Sequence, residues 1–141
     1  MILILMLVGK IITINSNMKC ELEYNKVPAL GPRNESYFTL KVLTMSDITI
    51  FQIVFYADNL MDFYKFLNRI YNYTLNGSDV TSDKVYYFSW NSDKFDRTDS
   101  GDGTLNISTL RGNIQINIPI SNQGLEQLKK YIQYHLNNNL L

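Results

Sequence analysis

Apolar and polar residues alternate on both sides of Arg111-Gly112, from Leu105 to Ile118. Taken as a two-residue loop, Arg111-Gly112 folds residues 104–120 into a β-hairpin in which Leu105 faces Ile118, Ile107 faces Ile116 and Thr109 faces Ile114. Those six residues then form one core-facing surface, and a slip of one residue would destroy the match. Asn106, Ser108, Asn113, Gln115 and Asn117 fall on the opposite, solvated face. Pro119 cannot donate to a ladder, which places it near a strand end or at a sheet edge.

Upstream, Lys19–Tyr24 and Tyr37–Leu43 also alternate, turning Cys20, Leu22, Tyr24, Phe38, Leu40 and Val42 inward. Ile48–Tyr56 is apolar on both faces and predicts a central strand covered on both sides. Asp83–Trp90 reads as a strand with aromatics on both faces. Two stretches have helical period. Leu60, Phe63, Tyr64, Leu67, Ile70 and Tyr71 form one stripe, capped by Asp58 or Asn59 and stopped by Asn76-Gly77. Leu125, Leu128, Ile132 and Leu136 form the other, capped by Ser121 or Asn122, weakened in its first turn by Gly124 and fraying over Asn137–Leu141. Residues 25–36 and 91–103 read as loops, and no internal repeat is visible. The expectation is an α+β fold in the order βββαβββα, an antiparallel sheet of about six strands with two helices packed on one face.

A chain of 141 residues suits one domain, here residues 19–141. Residues 1–18 read as an N-terminal extension or an extra strand. Met1–Val8 is apolar but too short for a membrane span, which needs roughly 20 residues. It also lacks the basic flank and small-residue cleavage site of an export signal. A strand running on through Ile11–Ile14, a poor export signal, or an extension before a natural start at Met18 all remain open. The sequons at Asn34, Asn72, Asn76 and Asn106 are what an Asn-rich chain produces by chance.

Charge narrows the functional classes. Lys+Arg and Asp+Glu are 13 each, net zero, and no basic run meets the need of phosphate recognition, which argues against a nucleic-acid partner. The single cysteine, Cys20, excludes an intrachain disulfide and a Cys-based zinc site; its place in an alternating strand marks an inert thiol. His135, the only histidine, would have to serve any Ser-His-Asp or Cys-His system, but it lies near the end of a helix, where the macrodipole accounts for it. Glu21, Glu23, Glu35 and Glu126 fall on exposed faces or in a loop rather than as a facing pair. Neither Walker nor dinucleotide glycine spacing is present. No catalytic residue, cofactor or metal site is expected.

Asp93, Asp96, Asp99 and Asp102 recur every third residue, which is not the alternating ligand spacing of an EF-hand loop. With Phe95 and Arg97 they suit an interaction loop. Asn113, Gln115 and Asn117 on the polar hairpin face complete the set of expected partner-binding residues.

The pattern Asp58-Asn59-Leu60-(x)2-Phe63-(x)2-Phe66-Leu67, an aromatic strand ending in Trp90, Leu105-x-Ile107, Arg111-Gly112-Asn113-Ile114-x-Ile116-x-Ile118 and Leu125-(x)2-Leu128 resembles the small bacterial immunity proteins of the WapI-like group, which accompany contact-dependent polymorphic toxins. The resemblance covers about residues 19–136. It implies a cytoplasmic, non-catalytic protein that binds and neutralises one cognate toxin, and it carries over no contact residues. A phage- or plasmid-encoded inhibitor of a host defence enzyme is a close alternative. A small-ligand-binding or exported protein using the N-terminal apolar run is a different class.

Overall fold

The computed structural model describes residues 11–26, 37–71, 76–92 and 103–139. Strands β1 (Ile12–Thr13), β2 (Met18–Asn25), β3 (Tyr37–Thr44) and β4 (Thr49–Tyr56) are followed by helix α1 (Ala57–Tyr71). Strands β5 (Asn76–Val80), β6 (Tyr86–Ser92), β7 (Gly103–Thr109) and β8 (Gln115–Ile120) are followed by helix α2 (Asn122–Asn139). The α+β class and the antiparallel pairing agree with expectation. The single six-stranded sheet does not: there are two four-stranded sheets, ordered β1-β2-β3-β4 and β5-β6-β7-β8. The order is therefore ββββα twice, a topological repeat with no repeat in the sequence.

Both sheets turn an apolar face toward the helix pair. Helix α1 packs on β3 and β4 of one sheet and on β5 and β6 of the other, while α2 packs on β1, β2 and β8. Of the α1 stripe Leu60, Phe63, Leu67 and Ile70 are buried and Tyr64 is half-buried, while the Tyr71 side chain lies outside the described residues; Phe66, not counted in the stripe, is buried as well. Phe63 lies 4.7 Å from Phe88 and 5.7 Å from Phe55, ring centre to ring centre, so one α1 side chain joins both sheets. Such ring pairs contribute about 0.5–1.5 kcal/mol each beyond burial. On the other side the Tyr131 hydroxyl of α2 accepts the Leu22 N–H at 2.9 Å, tying α2 to β2.

The helix starts differ slightly from expectation. Asn59 is the third residue of α1, and its Oδ1 accepts the Tyr56 N–H at 3.0 Å, which is the reach-back half of a capping box. Ser121 caps α2, its Oγ accepting the Gly124 N–H at 3.1 Å. Leu125, Leu128, Ile132 and Leu136 are buried with Tyr131. Gly124 has a packing reason, since a Cβ there would meet Ile120 Cγ1 at 2.7 Å and Ile14 O at 2.8 Å. Asn137–Asn139 remain helical rather than frayed, with Asn138 Nδ2 bonded to Tyr134 O.

Three further corrections concern strands. Residues 49–56 form an edge strand, not a central one: Phe51, Ile53 and Phe55 are buried, but Ile50 and Tyr56 are about half exposed. Asn76-Gly77 does not merely stop a helix; it opens β5, whose residues pair with Tyr87–Asn91. The β7–β8 register is the one expected, with Leu105 opposite Ile118 and Ile107 opposite Ile116. Its loop, however, is four residues long, not two. The Gly112 N–H bonds to Thr109 O at 2.8 Å, which centres the turn on Leu110-Arg111 and leaves Gly112 left-handed at φ 77°. The two-residue and four-residue loops share one centre, between Arg111 and Gly112, so the register survives the change of loop. Ile114, expected in the core, is 45% exposed beside this loop. Pro119 lies on the edge strand β8, as its missing N–H requires.

Candidate functional site

Cys20 and His135, the residues weighed above for nucleophilic chemistry, both lie in the core. Cys20 is buried in β2, and burial, with the Glu21 carboxylate adding, pushes its thiol up to about 12. His135 is buried in α2 with its ring 4.8 Å from that of Tyr131 and 5.7 Å from that of Tyr134. Asp83, in the β5–β6 turn, accepts Asn59 Nδ2 and Thr81 Oγ1, both at 2.7 Å, and the Val85 N–H at 3.1 Å. Partial desolvation raises its carboxyl, but those bonds outweigh it and leave the group below its ordinary value. Asp62 accepts Ser82 N–H and Oγ at 2.9 Å each, so the same turn is latched twice to α1. Among the described residues no group of three or more His, Cys, Asp or Glu is placed to hold a metal, and no helix is long and apolar enough to cross a membrane. A cleft of about 380 Å³ between Ile14, Gly103, Pro119 and Ser121 has no titratable side chain in its lining among the described residues.

The outer face of the second sheet is different in kind. Because Tyr86, Phe88 and Trp90 point to the core, pairing puts the alternate residues outward in three rows across β5-β6-β7-β8. The rows are Asn76–Asn91–Thr104–Pro119, Ser78–Ser89–Asn106–Asn117 and Val80–Tyr87–Ser108–Gln115. None of these side chains is charged. Amides and hydroxyls dominate the first two rows, and Asn106 Nδ2 bonds to Asn117 Oδ1 at 2.8 Å and to Ile116 O at 3.2 Å. The third row leads to an apolar end. Val80 pairs with Tyr87, and beyond them the Leu110 N–H bonds to Val85 O at 2.8 Å. Val80, Val85 and Leu110 are 38, 45 and 48% exposed.

The outer face of the first sheet carries charge on β2 and β3, in the pairs Lys19–Asp47 at 2.5 Å and Lys41–Glu21 at 4.0 Å, beside the uncharged, apolar Ile50, Val54 and Tyr56 of β4. The two sheets therefore present chemically distinct surfaces on one topological plan.

Of the residues expected to bind a partner, Gln115 and Asn117 lie together on the uncharged face, both exposed. Asn113 sits in the β7–β8 loop, its Oδ1 accepting the Thr109 hydroxyl at 2.7 Å, beside the face rather than on it. Asp93, Phe95, Asp96, Arg97, Asp99 and Asp102 lie outside the described residues, as do Met1–Val8. Sequence reasoning missed Tyr87, Val80, Val85 and Leu110. Tyr87 stands in a run that is aromatic at every position from 86 to 88, so its outward side was hidden.

No family model matches this chain, and no curated protein matches it. Solved structures similar to it include WHY3 from Arabidopsis thaliana, at 8% identity and a TM-score of 0.39, covering 91% of this chain and 86% of that one. The plant transcriptional regulator PBF-2 is similar at 9% identity and a TM-score of 0.39, covering 91% and 80%. These likenesses are too distant to bear on what this chain does.

Proposed function

We propose that the chain is a non-catalytic binding protein of the immunity type, which neutralises a cognate toxin by covering it with the outer face of its second sheet. One observation carries the reading: an uncharged, hydrogen-bonding face that ends in an apolar group around Tyr87. Interface cores are depleted of charge and enriched in tyrosine, and a small number of aromatic anchors supply most of the affinity. The amides of Asn106, Gln115 and Asn117 give the surrounding polar contacts. With no Lys or Arg among the twelve outward positions, this face offers nothing to neutralise phosphate. Action inside the cytoplasm, and inhibition of a host enzyme instead of a toxin, fit the same face.

The test is affinity capture from the native host with the full chain, comparing wild type with Tyr87→Ala and Leu110→Ala. A one-to-one complex with a toxin or host enzyme is expected, weakened at least tenfold by Tyr87→Ala and little changed between about 50 and about 500 mM salt, since no surface charge pair is involved. Capture that is indifferent to both substitutions and lost in high salt would assign binding to another surface.

A further inference from the structure

Strand β4 combines features that normally invite strand pairing. It is eight residues long, lies at a sheet edge, carries no charged residue, and leaves Ile50, Val54 and Tyr56 37–55% exposed. Yet two of its outward backbone groups are already taken. The Tyr86 hydroxyl, from the second sheet, donates to Val54 O. Asn59 Oδ1 takes the Tyr56 N–H. Backbone groups of alternate residues point the same way along a strand, so those two bonds mark the even-numbered positions as the outward ones. At the other end the register breaks, with Val42 opposite Phe51 but Leu43 opposite Thr49, leaving Ile50 as a bulge. Only Gln52 then keeps a regular outward ladder position without one of these blocks.

We propose that Tyr86 and Asn59 are edge guards that keep β4 from pairing with β4 of a second copy of this chain. The occupant is a second copy because the strand is self-complementary. Paired antiparallel about its middle, it would join two four-stranded sheets into one, set Ile50 of each copy beside Val54 of the other, and meet no like charge. The inference is independent of the partner proposed above, since it concerns the first sheet.

Sedimentation velocity over a hundredfold concentration range tests it. Wild type is expected to remain at monomer mass. Tyr86→Phe keeps the ring and removes only the donor, and it is expected to shift toward twice that mass with near-native circular dichroism. Adding Gln52→Pro, which removes an outward N–H without costing a bond to β3, is expected to restore the monomer. A folded Tyr86→Phe protein that stays monomeric throughout, or a dimer that survives Gln52→Pro, would overturn the proposal. Asn59→Ala offers a second opening of the same edge, and a folded monomer there counts against it equally. A wild-type chain that is already dimeric through β4 also overturns it.

Discussion

Trp90 and Gly103 stand so close across the β6–β7 pair that a Cβ on Gly103 would lie 2.4 Å from Cη2 and 2.5 Å from Cζ2 of the indole, and 2.6 Å from Asn91 O. Trp90 is fully buried and the Asn91 carbonyl is backbone, so neither neighbour can yield cheaply. Gly103→Ala is therefore expected to destabilise the fold by about 1–3 kcal/mol, the usual cost of overpacking a filled core. Urea unfolding checks this: the midpoint should fall with the slope unchanged. An unchanged midpoint would mean that the indole can move aside.

The hairpins share a turn design that makes an opposite pair of predictions. In the β3–β4, β5–β6 and β7–β8 turns an N–H at the fourth position bonds back to the first carbonyl: Asp47 to Thr44, Lys84 to Thr81 and Gly112 to Thr109. The donor residue is left-handed each time, at φ 67°, 61° and 77°. Only the third is glycine. Lys84 and Asp47 carry a strain of roughly 1–2 kcal/mol that glycine avoids. Lys84→Gly is expected to raise the melting temperature despite the greater freedom of glycine when unfolded. Gly112→Ala, with open space around its Cβ, is expected to lower it through backbone strain alone. Thermal melts of the two variants should move in opposite directions.

Cys20 predicts a pH dependence. In the unfolded chain its thiol ionises near 9.0, whereas in the fold burial holds the proton to about 12. The folded state thus binds the extra proton between those values, and stability falls as pH rises through that window, by at most about 1.4 kcal/mol per pH unit. Below pH 9 the thiol makes no such contribution. The difference between wild type and Cys20→Ala in urea unfolding at pH 8 and pH 10 isolates the effect; equal differences at both would refute it. Alkylation of the native protein at pH 8 should proceed only as fast as the chain opens.

What the sequence made legible was local. Alternation in β2, β3, β7 and β8 and the two helical stripes could be read because each buries one face against a partner of matching period. The β7–β8 register was legible even though the loop was not, since the apolar match fixes the centre of the loop and leaves its length free. Which strands share a sheet was not legible, because an intervening helix erases that information from a linear pattern. Strand β5 (Asn76–Val80) was hidden by composition: Asn-Gly-Ser-Asp has the residues of a turn, and only pairing with Tyr87–Asn91 makes it extended. In β4, apolar residues on both faces suggested burial on both sides, when one side is an exposed edge surface. The candidate face was half visible for the same reason. Gln115 and Asn117 stood out by alternation, while Tyr87 and Val80 became surface residues only once the rows were assembled.

Residues before Met18 supply the last prediction. Strand β1 pairs Ile12 with Cys20 and Thr13 with Lys19. Ile14 follows with 4% of its surface exposed, its N–H bonded to Met18 O at 3.1 Å and its carbonyl beside Gly124. Asn15 Nδ2 donates to Pro119 O at 2.7 Å, which joins the first sheet to the edge strand of the second. A chain begun at Met18 would lose all of these at once and take Ile14 out of the core cluster to which it belongs. Ile14→Ala alone is expected to cost about 2–5 kcal/mol, within the range for large-to-small core substitutions. That is a large share of the roughly 5–15 kcal/mol that holds a domain together. The chain lacking residues 1–17 is accordingly expected to show weak or absent cooperative unfolding in differential scanning calorimetry, whereas the full chain should show a single sharp transition. If the shorter chain melts as sharply and as high as the longer one, the packing of Ile14 contributes little and the fold closes without β1.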